Sequence, residues 1–291
     1  MSRERISPAD GSANQRPRWR LAVFLVALAL ASRAVLQQTV TETPGFILVG
    51  ALIPPAGVAT VVLLLGRRTS VPWPPSLAAL LWGATAAPLG ALALNDAALH
   101  AFPHELVTSM IGPLLEEVAK AGGLLALILV WPGSLRSVRE GIVYGALAGV
   151  GFAAIENLGY YTLAAVQGGA PGLARALYVR GLLEGLNHAA FTAIVGAAAG
   201  RARARPASRR PRLAVVAAGL AIAVSVHGAW NAVASTAITS LLCSAPADGA
   251  PCAPAPRPLD LLVSVPILIA AFIGPLAALL VMLALRDHRS S

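Results

Sequence analysis

The sequence predicts an all-α integral membrane protein of about eight transmembrane helices, with both termini cytoplasmic. Three observations carry that prediction. Of 291 residues, 57% are hydrophobic and 12% charged, with a mean hydropathy of +0.72, which is not the balance of a water-soluble domain. Apolar runs of about 20 residues, the length needed to cross a bilayer, recur along the chain. The arginines alternate between loops, dense on one side and sparse on the other, as topology determinants do.

Taken in order, the spans are Leu21–Gln37, Gly45–Leu65, Ser76–Asn95, His104–Trp131, Gly141–Val166, Leu173–Gly200, Leu213–Leu242 and Leu259–Leu285. Residues 1–20 are polar and arginine-bearing and read as a disordered cytoplasmic tail; residues 286–291 are a second short tail. Span one, with basic residues before it and Ala29-Leu30-Ala31 within it, also has the outline of a signal peptide. Pro54-Pro55 should kink span two or mark a break in it. Gly141, Gly145 and Gly149 form a stripe on span five that reads as close helix packing. Of 21 arginines, 17 fall in the tails or in the loops after spans two, four and six, and the positive-inside rule makes that side cytoplasmic. The net charge of +9 is therefore a topology signal and not a nucleic-acid footprint. Cys243 and Cys252 share the loop after span seven, on the oxidising side, and are expected to form a disulfide. An excess of alanine and arginine fits a GC-rich bacterial genome, hence a plasma-membrane location.

The chemistry lies in the middle of the chain. The sole lysine, Lys120, follows Glu116 and Glu117 inside span four. Ionisable groups at the bilayer centre cost several kcal/mol by most estimates and mark pathways or active sites. Span five adds Glu156 and Asn157, span six Glu184 and His188, span seven His227 and Asn231. Measured from the outer end of each span, Glu116, Glu156, His188 and His227 lie roughly 15–23 Å deep at 1.5 Å per residue. Spans of alternating direction thus place their polar groups in one layer. Glu116 and Lys120 are i,i+4 in the favourable order for an ion pair. Glu117 projects about 100° away from Glu116, which argues against a shared-proton dyad. Glu184 stands one turn before His188 and is expected to orient its ring, unless Arg180 takes Glu184 instead.

Peptide hydrolysis needs an activated water, a donor to the leaving amine and donors to the oxyanion. Glu116 is the candidate base, assisted by His188 or Glu156; Glu117 and Lys120 would set the local charge; His227 and Asn231 lie one turn apart as oxyanion donors. Asn157 and Glu184 are supporting residues. No His-Glu-x-x-His or Gly-x-Ser-x-Gly motif is present, and no aspartate lies mid-span. The reading needs no cofactor. Zinc or another divalent metal is the alternative, on Glu116, Glu156, His188 and His227. A proton-coupled carrier or a non-catalytic scaffold are the rival classes, since intramembrane Glu, Lys and His also serve proton relays.

Four motifs in order, Glu116-Glu117-x-x-Lys120, Phe152-x-x-x-Glu156-Asn157, His188-x-x-Phe191-Thr192 and His227-x-x-x-Asn231, resemble those of the PrsW intramembrane proteases, relatives of the CAAX prenyl endopeptidases. The resemblance covers about residues 104–235, the expected catalytic core within a membrane domain of residues 21–285. It implies an endopeptidase that cuts membrane-anchored proteins, anti-sigma factors among them, by direct water attack. The CAAX enzymes have Arg one position after Lys120 and His in place of Glu156, so their prenylated substrates do not carry over.

Overall fold

The computed structural model describes residues 18–37, 43–67, 71–183, 186–204 and 208–242. These are helical with short connections: α1 (Arg18–Val35), α2 (Gly45–Arg67), α3 (Trp73–Ala84), α4 (Ala86–Ala101), α5 (His104–Leu106), a π segment (Val107–Ile111), α6 (Gly112–Val130), α7 (Val138–Ala176), a second π segment (Leu177–Leu183), α8 (Asn187–Ala204) and α9 (Arg209–Leu242). Span eight, the Cys243–Cys252 pair, Glu184, most of the first tail and the whole of the second lie outside the described residues.

Among the described residues, four stretches are long and apolar enough to cross a membrane: Gly45–Arg67, Trp73–Ala101, Val138–Ala174 and Arg209–Ala232. Of the other expected spans within the described residues, spans one and four carry more charge and span six is irregular. Span six departs from a plain α-helix in its described residues: a π segment covers Leu177–Leu183, Leu186 is a turn residue and α8 begins at Asn187. Span three is divided at Thr85, whose hydroxyl donates to the Leu81 carbonyl at 2.6 Å while its N–H turns to Trp82. The side chain takes the acceptor that the helical N–H would have used. Helix α2 runs through Pro54 and Pro55 without a break.

One helix organises the rest. The apolar window of α7 is 89% buried, against 22–33% for the other three long spans, so α7 is the central post and the others face outward. A capping box starts it: Ser137 Oγ accepts from Glu140 N–H at 3.1 Å, and Glu140 Oε2 accepts from Ser137 N–H at 3.0 Å. At Gly169 the backbone takes φ 57°, a conformation suited to glycine, and the chain turns into a short second helical piece.

The glycine stripe sets how closely α8 approaches α7. A Cβ at Gly141, Gly145 or Gly149 would run into the backbone carbonyls of Gly196, Thr192 and His188 in turn. The two helices are therefore antiparallel and in backbone contact, and each glycine lies against a named residue of α8. The same device joins α7 to α3, where Gly151 meets Leu80 and Gly83 meets Ala148. In a bilayer, where lipid is as apolar as leucine, such close packing supplies much of the helix association.

Helix α6 is inverted relative to a helix in water. Leu114, Val118, Leu125 and Leu129 are exposed, whereas Glu116, Glu117 and Lys120 are buried together with Gly123, Leu124 and Leu127. The charged face points inward because lipid takes the apolar one. Trp82 fixes its height by donating Nε1–H to the Ala119 carbonyl at 2.9 Å.

Candidate active site

Four helices bring the polar residues together. Glu117 is the best-connected of them. Its Oε1 accepts from Lys120 Nζ at 2.8 Å and meets His227 Nδ1 at 3.1 Å; its Oε2 accepts from Thr192 Oγ1 at 2.9 Å. The side chains of Glu117 and Lys120 are fully buried. Glu116 is less engaged. Its Oε2 lies 3.6 Å from Lys120 Nζ and 3.7 Å from His227 Nε2, and this buried atom has no hydrogen-bond partner. Asn95 of α4 reaches Glu116 Oε1 at 3.5 Å. So the tight ion pair is Lys120 with Glu117, at i,i+3, and the expected i,i+4 pair with Glu116 is the longer contact.

His188 sits between two partners. Its Nε2 is 2.7 Å from Glu156 Oε2 and its Nδ1 is 3.0 Å from Lys120 Nζ. An ammonium has donors only, so Nδ1 accepts and Nε2–H donates to Glu156. The carboxylate that orients this ring is therefore Glu156 of α7. The role expected for Glu184 falls on a residue outside the described ones. For His227 the parallel assignment has Nδ1–H donated to Glu117, which leaves the Nε2 lone pair on the side of Glu116. Each histidine thus has its own orienting carboxylate, an arrangement usual for metal-ligating imidazoles.

Arg180, in the second π segment, donates Nη2–H to Glu156 Oε2 at 2.8 Å and Nε–H to Asn157 Oδ1 at 3.1 Å. Its guanidinium also lies 3.7 Å over the Tyr160 ring. Sequence spacing suggested Glu184 as its partner; nothing local points twenty-odd residues back to α7. Phe152 lies face-on to the ammonium, with Lys120 Nζ 4.0 Å from its ring centroid. Thr192 had a usable signal, since it is one turn after His188 on the same face. Asn95 had none, because its approach depends on how α4 meets α6. Asn231 Nδ2 donates to the Thr108 carbonyl at 3.0 Å, tying α9 to the first π segment.

A donor atom of each of Glu116, His188 and His227 lies within 4.8 Å of the others, all three buried. One carboxylate and two imidazoles suit zinc with an open fourth position. The unpartnered Oε2 of Glu116 is the observation that fits a cation there. Glu156, expected among the ligands, is instead engaged by Arg180 and His188.

The model of the PrsW family intramembrane metalloproteases matches residues 71–281, well over half of the chain. The chain belongs to that family. No curated protein and no solved structure matches it.

Proposed function

We propose that this PrsW-family chain hydrolyses a peptide bond in or near the membrane segment of a single-span membrane protein, an anti-sigma factor being one such substrate. We place it in a bacterial plasma membrane, crossing eight times, with both ends in the cytoplasm. The observation that carries the reading is the junction of buried Glu116, Glu117, Lys120, His188 and His227 with half-buried Glu156, each within 3.7 Å of another member. Buried charges persist where function requires them, because an ion pair in a low-dielectric interior is weak support for stability.

In this mechanism Glu116 takes a proton from the attacking water. It suits that task because it is the carboxylate least committed to neighbours. Glu117 is neutralised by Lys120 and holds His227 by Nδ1. Glu156, gripped by Arg180, holds His188 by Nε2. As water adds to the carbonyl, Asn231 donates to the oxyanion, and His227 does so in the form that carries a proton on Nε2. Collapse returns the proton to the leaving amine and releases a carboxylate, with no acyl-enzyme. Glu116, His188 and His227 would hold a divalent metal, whose chemistry when bound is to lower the pKa of water towards neutrality and to polarise the carbonyl.

The test is cleavage of a single-span substrate by purified protein, with Glu116→Gln and His227→Ala compared as folded, monodisperse species. Both should lose activity. Near-wild-type cleavage by both variants would end the mechanism, and proton-driven flux in liposomes would then favour a carrier.

A further inference from the structure

The Nδ1 lone pair of His188, the one a metal would need, is already hydrogen-bonded to a cation. Lys120 Nζ lies 2.8 Å from Glu117, 3.0 Å from His188 Nδ1 and 3.6 Å from Glu116 Oε2. Two of these three residues, Glu116 and His188, belong to the buried trio whose donor atoms converge within 4.8 Å. Because Glu156 takes the Nε2–H of His188 at 2.7 Å, the one lone pair that ring offers is on Nδ1, and the ammonium is hydrogen-bonded to it. A lone pair serves one Lewis acid at a time. His227 has no such conflict, since its Nε2 faces Glu116.

We propose that the Lys120 ammonium and a divalent metal are alternative occupants at His188 Nδ1. In the metal-free protein the ammonium is the resident cation that holds Glu116, Glu117 and His188 in place. When a metal binds Glu116, His188 and His227, the ammonium gives up Nδ1 and withdraws onto Glu117, its nearest partner. Its proximity to a second cation then weakens metal binding, so Lys120 sets an upper bound on affinity and makes the metal exchangeable. The inference rests on the metalloprotease reading of the same trio. The Phe152 ring backs the ammonium at 4.0 Å.

The test is zinc titration of the metal-stripped full chain in detergent, by calorimetry, for wild type and Lys120→Met. Lys120→Met keeps an unbranched side chain, one atom shorter, and removes the charge. It should bind zinc at least tenfold more tightly than wild type, at one ion per chain. Equal or weaker binding, or no zinc bound by either protein, would overturn the proposal. Should Lys120→Met not fold, nitrogen-15 NMR of histidine-labelled wild type decides: zinc should shift Nδ1 of His188, and coordination through Nε2 would sink the idea. Failure of the protease reading shows in the cleavage assay, which neither measurement uses.

Discussion

Glu117 Oε1 lies 3.1 Å from His227 Nδ1, and that contact divides the labour between two adjacent glutamates. Glu117 faces three donors, from Lys120, Thr192 and His227. It is the structural anchor of the junction. In the proposed mechanism Glu116, one residue earlier, is left for chemistry.

The division predicts opposite phenotypes. Glu117→Gln should lose thermal stability by about 3–5 kcal/mol, the usual cost of breaking a buried pair by removing one partner. It should also lose cleavage. Glu116→Gln should melt close to wild type yet be inactive. Thermal unfolding in detergent beside a cleavage assay checks both, and equal melting of the two variants would contradict the assignment.

The glycine stripe predicts that backbone spacing controls activity. Gly149→Ala places a methyl against the His188 carbonyl. Neither backbone can move away without shifting His188 from Glu156, so activity should fall at least 100-fold. Gly159→Ala, on the same helix with open space around it, should stay within twofold. Both are read by cleavage kinetics on folded protein.

Arg180 should behave as a positioning residue. It forks onto Glu156 and Asn157 at once, a geometry that a lysine cannot copy. Arg180→Lys should therefore lower kcat by roughly tenfold or more with KM little changed, and Arg180→Ala should be worse. A change in KM alone would mean that Arg180 touches substrate instead.

Asn231→Ala tests the oxyanion. A loss of about 10²–10³-fold in turnover is the scale for one oxyanion donor. Its bond to the Thr108 carbonyl is a structural tie, worth about 1 kcal/mol by the usual net value of a hydrogen bond. A decline of tenfold or less would reduce Asn231 to that tie.

Topology follows from the arginines. Reporter fusions after Arg68, Arg139 and Arg205 should report cytoplasm, and fusions after Thr43, Pro103 and Ala247 the outside. A cytoplasmic signal at Ala247 would reverse the last two spans.

The sequence by itself determined the helical class, the family and the layer of polar residues. Each of these follows from one helix at a time: an apolar run of bilayer length, a motif of i,i+3 and i,i+4 spacing, a depth counted from a span's end. Glu116, Glu117, Lys120, Glu156, His188 and His227 were legible on those grounds. What the tertiary structure decided is the pairing between helices. That Lys120 lies closer to Glu117 than to Glu116, that Glu156 serves His188, and that Arg180 reaches back to α7 depend on how each helix is rotated and how closely it packs. The physical reason lies in the glycines. Gly141, Gly145 and Gly149 announce a close contact, but only the packed pair shows which carbonyls of α8 they meet. A shift of one turn, 5.4 Å in an α-helix, would exchange every partner in the site without altering a single local signal. The turn at Leu186, just before α8, was hidden for the same cause: the sequence around it reads as one apolar span.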